Sequence, residues 1–309
     1  MRISGTMNTG GDEMKIGLID VDGHNFPNLA IMKISAYHKS LGDNVEWFNG
    51  FFEYDKVYMS KVFTFTDDFD TCIRAKEVVK GGTGYNLTSQ LPYEIEQQYP
   101  DYSLYGITDT AYGFLTRGCP RQCDFCIVSE KEGNKSFKVS NLSDFWNGQK
   151  NIVLLDPNIT ACKDSENLFE QLIESKSYVD FSQGVDARTL TEQKIELFMK
   201  LKLKHVHFAL DNPKDTKLVI EKLTLLRDMT NWKRGKVSVY VLVNFGSTLE
   251  QDLERIYAIK ELGFNPYVMI YDKANAPKVI KKLGRYVNNK YIFWSDRCKT
   301  FDDYLKGGF

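Results

Sequence analysis

The chain has 309 residues, of which 42% are hydrophobic and 26% are charged, so it holds enough apolar material for one large domain or two modest ones. Its formal net charge of −1 argues against bulk attraction to nucleic acid or to an anionic membrane. No stretch approaches the roughly 20 apolar residues of a membrane span, and residues 1–13 lack the apolar core of a signal peptide. We therefore expect a cytoplasmic protein with a disordered leader over residues 1–13 and no membrane contact.

Residues 14–88 predict a small α/β domain. The four candidate strands lie at 16–20, 45–48, 56–65 and 76–82. A helix between the first two strands starts near Pro27 and ends at Gly42. This order predicts a small parallel sheet, trimmed relative to a full doubly wound domain, and residues 89–109 follow it as an ordered connector.

From residue 110 onward, strands alternate with amphipathic helices. The candidate strands lie at 112–118, 151–158, 179–187, 205–212, 237–245 and 266–272. The candidate helices lie at 165–175, 191–202, 214–229 and 249–262. A complete eight-unit barrel takes about 250 residues, whereas residues 110–275 hold about six units, which predicts an open, partial (β/α)6 barrel. Residues 276–309 predict an extension with one helix and a short strand containing Trp294.

Three of the six cysteines, Cys119, Cys123 and Cys126, stand within eight residues just after the first of these strands. Active sites of such barrels form at the carboxyl ends of the strands. Bunched thiols in a reducing compartment usually hold metal or do redox chemistry, and thiolates select zinc, copper(I) or iron–sulfur clusters. Three ligands from one short loop suit a cubane cluster whose fourth iron faces the cavity and can bind a small molecule.

A zinc knuckle is the alternative, with a fourth ligand from elsewhere in the chain. The side chains available for that position are His205, His207, Cys162 and Cys298. No second C-x2-C and no histidine pair with zinc-finger spacing follows, so the sequence favours the cluster. The three scattered cysteines, which include Cys72, are most simply buried thiols.

The segment CPRQCDFC resembles the signature of the radical S-adenosylmethionine (radical SAM) superfamily, C-x3-C-x-Φ-C, with Phe125 as the aromatic residue Φ. The resemblance implies a [4Fe-4S] cluster on the three thiolates, whose open iron binds the amino and carboxylate groups of S-adenosylmethionine (AdoMet). It also implies reductive cleavage of AdoMet to a 5'-deoxyadenosyl radical that acts on an unidentified substrate. A flavodoxin- or ferredoxin-type protein would donate the electron. The chain as a whole resembles superfamily members that have a cobalamin-binding-like N-terminal domain.

The same resemblance implies that residues at the ends of later strands hold AdoMet. The candidates are Phe125, Asp156, Asn158, Gln183, Asp186, Arg188, Asp211 and Asn212. Asp156 stands where the family contacts the methionyl amine, and Arg188 could neutralise the methionyl carboxylate. Each polar residue is equally explained as a cap or turn. Polar residues follow five successive strands at the same edge of the predicted barrel. Helix capping alone does not require so many polar residues at one edge, so the pattern supports a binding site.

The front domain also resembles the corrinoid-binding domain of some radical SAM proteins. Residues Asp22, Gly23, His24 and Pro27 align in place with the D-x-H-x-x-G cobalt-ligating motif, with Pro27 replacing the glycine. Ser60 and the pair Gly81–Gly82 stand where such domains contact the corrinoid tail. A corrinoid needs the whole carboxyl edge of a complete sheet, and a fifth strand is hard to find. Cobalamin-dependent methyl transfer is therefore the alternative function, and a lid or docking role for this domain is favoured over it.

Three further alternatives concern partners and catalysis. A basic group that could meet RNA consists of Lys200, Lys202, Lys204, Lys233, Arg234 and Lys236. A solvated helix end explains that group more simply. The methylthiotransferase branch is disfavoured, because its front domain supplies three further cysteines and only Cys72 precedes the signature here. The alternative to an enzyme is a non-catalytic protein in which a zinc ion or an iron–sulfur cluster is structural.

Overall fold

The structure is a computed structural model that describes residues 13–23 and 26–307. It divides into two compact units, Met1–Thr108 and Asp109–Phe309. Both contain parallel strands connected by helices, so the α/β class predicted from the sequence is confirmed. Within the described ranges, every helix is too short or too polar to cross a bilayer.

The first unit is a four-stranded parallel sheet with the order β2-β1-β3-β4. Its elements are β1 (Lys15–Asp20), α1 (Leu29–Leu41), β2 (Asn44–Trp47), β3 (Tyr54–Ser60), β4 (Ala75–Gly81), α2 (Tyr93–Glu96) and a 3₁₀ turn at Tyr102–Tyr105. The side chain of Asn28 caps α1 by accepting from two backbone N–H groups, and Gly42 ends the helix with φ 88°. Ile31 and Ile34 of α1 pack on Ile16 of β1 in one hydrophobic cluster, and Ile19 and Val57 belong to a second cluster.

The second unit contains a six-stranded parallel sheet in which the strands follow one another in chain order, β5-β8-β9-β10-β11-β12. The strands are β5 (Thr110–Gly113), β6 (Thr116–Arg117), β7 (Phe137–Lys138), β8 (Asn151–Leu154), β9 (Tyr178–Val185), β10 (Lys202–Ala209), β11 (Val237–Val243) and β12 (Asn265–Ile270). The helices are α3 (Val128–Glu132), α4 (Ser165–Ser175), α5 (Glu192–Lys200), α6 (Thr216–Thr230), α7 (Leu249–Glu261), α8 (Lys278–Asn288), α9 (Lys290–Phe293) and α10 (Phe301–Gly307). Short 3₁₀ turns lie at Leu142–Asp144, Ile159–Ala161, Ala187–Thr189 and Pro213–Asp215.

Two local expectations differ from the structure. The strand expected at 112–118 is interrupted, because β5 ends at Gly113 and the next two residues with β geometry, β6, pair antiparallel with β7. The short strand expected around Trp294 is wrong, since α9 forms there instead. Asn289 caps α9 by accepting from two backbone N–H groups, and the Trp294 indole donates to the Asn265 side chain at 3.3 Å.

The two faces of the six-stranded sheet differ in composition. Side chains of β9 alternate, so that Val179 and Phe181 are buried while Asp180 and Ser182 on the opposite face are half-buried. Phe181 packs against the rings of Phe169 in α4 and Phe198 in α5, which shows that the helices cover the apolar face. The polar side chains of the strands therefore lie together on the other face.

A buried arginine ties together the carboxyl ends of two central strands. Arg255 of α7 is only 1% exposed and donates to the carbonyls of Leu210 at 2.7 Å, Asp211 at 2.6 Å and Leu242 at 3.0 Å. It also pairs with Asp252 at 2.5 Å. This clamp fixes β10 and β11 at the edge of the sheet where parallel α/β folds place their sites.

Replacing Arg255 with methionine should destabilise the protein by about 3–5 kcal/mol, because the buried Asp252 carboxylate loses its counter-charge and keeps only the Ser247 hydroxyl, and three strand-end carbonyls lose their arginine donor. Urea unfolding of the full chain measures this. The matched control is Arg227→Met, which breaks only the solvent-exposed contact with Asp228 and should cost less than about 1 kcal/mol. An equal loss of unfolding free energy in the two variants would contradict a stabilising role for Arg255 at the strand ends.

Candidate active site

The loop that carries the three cysteines leaves the sheet at a buried carboxylate. Asp156, which follows β8 and is 4% exposed, accepts from the backbone N–H of Leu115 at 3.2 Å. Its other oxygen accepts from the N–H of Thr116 at 2.5 Å and the hydroxyl of Thr116 at 2.6 Å. These bonds take the place of further pairing along β5, and they explain why that strand ends early. Burial outweighs the three hydrogen bonds and raises the pKa of Asp156 to about 6.

The residue just before the first cysteine is fixed by backbone geometry. Gly118 has φ +76°, and a Cβ built there would lie 2.1 Å from the carbonyl oxygen of Lys135. Its N–H donates to Glu132 at 2.9 Å, and the same carboxylate pairs with Arg117 at 2.7 Å. Only glycine fits this position, so the start of the cysteine loop is held in one conformation.

All six cysteines are free thiols, and the three in the loop are half-buried. Cys119 accepts a hydrogen bond from the Asn158 side-chain amide at 3.4 Å, and the N–H of Cys126 donates to the carbonyl of Cys123 at 2.9 Å. Burial raises the pKa of the Cys123 thiol, and the nearby Arg188 guanidinium opposes that rise. The loop borders an open cavity of about 620 Å³. The lining residues are Gln122, Cys123, Asp124, Cys126, Ser129, Glu130, Gly133 and Asn134.

The thiols are not gathered around a single point. Within residues 13–23 and 26–307, no three side chains of His, Cys, Asp or Glu stand close enough to hold one metal ion. One zinc ion needs each sulfur at about 2.3 Å from the same centre. A cubane binds each thiolate at a different iron, so it accepts a wider spacing. Three soft thiols on one loop are the kind of donor that iron–sulfur clusters and zinc both use, but the described side chains are not arranged as a metal-binding group.

A network of four charges lies beside the cysteine loop. Asp186, at the end of β9, pairs with Arg188 at 2.7 Å and with Arg121 of the cysteine loop at 2.7 Å. Arg188 also pairs with Asp215 at 2.5 Å. The two arginines hold the pKa of Asp186 below its usual range despite burial, which alone would raise it. Arg188 therefore already has two carboxylate partners, and its expected contact with the AdoMet carboxylate stays a prediction. Sequence reasoning missed Arg121 and Asp215, although Arg121 lies inside the signature.

The remaining predicted residues fall into three groups. Asn158 is 1% exposed and faces Cys119, and Asp211 accepts from the N–H of Leu242 at 3.0 Å while burial raises its pKa. Asn212 caps the following 3₁₀ turn, which is the alternative explanation that the sequence left open. Gln183 lines a second cavity, whose other lining residues include His207 and Tyr240 of the six-stranded sheet. Their expected AdoMet contacts stay predictions.

The signature aromatic residue lies against the end of β11. The ring of Phe125 meets the ring of Phe245 edge-on at 5.6 Å between centroids, and Phe245 meets Tyr271 at 4.7 Å. Phe245 follows β11 and Tyr271 follows β12. This row of rings holds the cysteine loop across the carboxyl edge of the sheet.

The described residues that align with a corrinoid-binding site make contacts within the first unit. Both oxygens of Asp22 accept backbone N–H groups, from Val62 at 2.9 Å and Phe63 at 2.8 Å. Ser60 accepts from the Asn28 amide at 2.8 Å. A Cβ at Gly82 would lie 2.4 Å from the Lys61 carbonyl, so this glycine follows from a close backbone approach. The proposed cobalt ligand, His24, lies outside the described residues.

Comparison with curated proteins found a distant relative. No family model matches the chain. A "CDK5RAP1-like protein" from Oryza sativa subsp. japonica is 26% identical over 209 residues, which is 60% of this chain and 34% of the rice protein. The chain thus spans about a third of the length of the curated relative it matches.

The buried Asp156 should make stability depend on pH in a defined direction. Its folded pKa of about 6 lies above the unfolded value of about 3.9, so the group favours folding at low pH, and this contribution is lost as pH rises through 6. From about pH 5 to about pH 7.5, the free energy of unfolding of the wild type should fall by about 1–2 kcal/mol relative to Asp156→Asn. Urea unfolding at several pH values measures the difference.

The control for this measurement is Asp164→Asn, which changes an exposed carboxylate in the same unit. Its pH profile should run parallel to that of the wild type. A wild-type profile that runs parallel to that of Asp156→Asn, or that rises relative to it with pH, would refute the assignment of the raised pKa to Asp156.

Proposed function

We propose that this protein is a radical SAM enzyme that cleaves AdoMet reductively at a [4Fe-4S] cluster held by Cys119, Cys123 and Cys126. The observation that carries the proposal is the placement of three free thiols on one loop at the carboxyl edge of a parallel sheet. We further propose that the six sequential strands form the partial (β/α)6 barrel of that superfamily.

Two features of the loop fit a cluster. Its thiols are soft ligands and are not committed to disulfides. The Asn158 amide donates to the sulfur of Cys119, and hydrogen bonds to sulfur ligands stabilise the extra negative charge of a reduced cluster.

When bound, the cluster supplies the electron that breaks a carbon–sulfur bond of AdoMet and yields a 5'-deoxyadenosyl radical. The protein's own residues bind and orient AdoMet and hold the cysteine loop. Arg121 and Arg188 provide positive charge for the methionyl carboxylate, and the row that begins at Phe125 is an apolar wall for the adenosyl group. The Asp156 and Gly118 contacts keep the loop in place.

The rice relative adds limited support. Its name is one used in the radical SAM superfamily, and the match reaches 60% of this chain at low identity. We propose a flavodoxin- or ferredoxin-type protein as the electron donor.

Anaerobic reconstitution with iron and sulfide should load about four irons per chain and give 5'-deoxyadenosine from AdoMet when dithionite is added. Cys123→Ser should lose at least about 100-fold of this activity, because one cluster ligand is removed. The matched control, Cys72→Ser, changes an exposed cysteine outside the signature and should retain wild-type activity. Iron-loaded protein that yields no 5'-deoxyadenosine, or zinc bound in place of iron, would contradict the proposal.

A further inference from the structure

A second cavity, of about 500 Å³, lies on the face of the six-stranded sheet that the helices leave open. The side chains of this face alternate along the strands with buried residues such as Val206 and Val239. The lining residues are Ser182, Gln183, His205, His207, Ser238, Tyr240, Asn265, Tyr267, Met269 and Lys290. The volume suits a small molecule, and none of these residues belongs to the cysteine loop.

The wall of this cavity is mostly polar and carries little charge. Six lining side chains are those of serine, glutamine, asparagine or histidine, whereas most small-molecule pockets are lined mainly by apolar groups. Among the described lining residues there is no carboxylate, and Lys290 is exposed to solvent. Burial lowers the pKa of His205 to about 4 and also lowers the pKa of His207, so both rings are neutral near pH 7. A ligand that fits this wall therefore needs hydrogen-bonding groups rather than a charge.

Two hydroxyl groups of the wall donate their hydrogen atoms to main-chain carbonyls. The Ser182 hydroxyl donates to the carbonyl of Leu154 at 3.0 Å, and the Tyr240 hydroxyl donates to the carbonyl of Ser182 at 3.1 Å. A carbonyl oxygen only accepts, so the direction of both hydrogen bonds is fixed. Toward a ligand, these two hydroxyl oxygens can therefore only accept.

The imidazole of His207 is directed in the same way. Its Nδ1 lies 3.2 Å from the carbonyl of Phe181, which places the proton of the neutral ring on Nδ1. The other nitrogen, Nε2, has no partner among the described residues and is not sealed from solvent. It offers a lone pair to a ligand.

A chain of hydrogen bonds also uses the hydroxyl hydrogen of Ser238. His205 donates to the carbonyl of Gly235, so its Nε2, which lies 3.0 Å from the Ser238 hydroxyl, accepts the hydrogen of that hydroxyl. The Asn265 amide donates to the Ser238 oxygen at 3.4 Å, and the Trp294 indole donates to Asn265 at 3.3 Å. These groups hold one another in place and leave Ser238 without a hydrogen for a ligand.

The aromatic rings of the wall contact one another. His207 stacks on Tyr240 at 4.9 Å between centroids with an interplanar angle of 9°, and Tyr240 meets Tyr267 edge-on at 5.8 Å. The parallel pair is already closed, so it leaves no slot between its rings for a flat ligand. Tyr267 is 44% exposed and provides apolar surface for C–H groups.

We propose that this cavity binds an uncharged polyol of the size of a monosaccharide, whose hydroxyl groups donate to Ser182, His207 and Tyr240. Each hydroxyl of such a ligand brings the hydrogen that these three side chains cannot supply. An anion would meet their lone pairs and would gain only a contact with the exposed Lys290, which is worth little. A cation would lie near Lys290 without a carboxylate on the described wall. The site is independent of the proposed function.

Titration of the purified full-length chain with glucose, galactose and mannose, followed by nuclear magnetic resonance, tests this proposal. At least one hexose should bind. Of its deoxyfluoro derivatives, each with one hydroxyl replaced by fluorine, at least two should bind about tenfold more weakly, because fluorine has no hydrogen to donate. The uronate and the 2-amino derivative, which add a negative and a positive charge, should bind no more tightly than the neutral sugar.

Three results would overturn the proposal without affecting the cluster. They are the absence of binding by all three hexoses, equal affinity of every deoxyfluoro derivative, and tighter binding of either charged derivative. Because this comparison uses the wild-type chain, it does not depend on the folding of any variant.

Two variants test where the sugar lies. His207→Phe keeps a flat ring against Tyr240 but removes the acceptor nitrogen, and should weaken the hexose about tenfold. Lys290→Gln should change the affinity less than about twofold, because the ligand has no charge to pair with the lysine. Lys282→Gln, an exposed lysine of α8 outside the cavity, is the matched control and should have no effect. Unchanged affinity in folded His207→Phe, or a tenfold loss in Lys290→Gln alone, would contradict the assignment.

Discussion

The site depends on one buried carboxylate. Asp156 receives the N–H groups of Leu115 and Thr116, which would otherwise continue the β5 ladder, and so it turns the chain away from the sheet. Burying this carboxylate costs free energy, as its raised pKa shows. The result is a cysteine loop that starts at a fixed point beside Asn158, at the edge of the sheet where cofactors of α/β proteins bind.

Charge balance at the rim follows from the same geometry. Two arginines and two carboxylates alternate in a chain of ion pairs whose formal charges cancel, in the order Arg121, Asp186, Arg188 and Asp215. An incoming carboxylate would compete with Asp186 or Asp215 for a guanidinium, and the negative charge of a cluster would strengthen the need for both arginines. Beneath this rim, Arg255 holds the strand ends together, so the network is supported by a rigid edge.

The sequence predicted what local patterns determine. The four long helices α4 to α7 lie within two residues of their predicted ends, because caps such as Thr191 and Thr248 mark them. The contacts of Asp156 were hidden, since its partners lie about 40 residues earlier and are main-chain groups. The apolar run at Trp294 looked like a strand, but Asn289 caps a helix there. The contact between the His207 ring and the Phe181 carbonyl was likewise hidden, because the two residues lie on neighbouring strands.

The central claim is that three thiolates hold a cluster and leave one iron free for AdoMet. Electron paramagnetic resonance of the reconstituted, dithionite-reduced protein, recorded before and after addition of AdoMet, tests this directly. A cluster with one free iron should give the spectrum of a reduced [4Fe-4S] cluster, with g-values that shift when AdoMet binds. A spectrum that AdoMet leaves unchanged would mean that a fourth ligand closes the cluster, and would contradict the account.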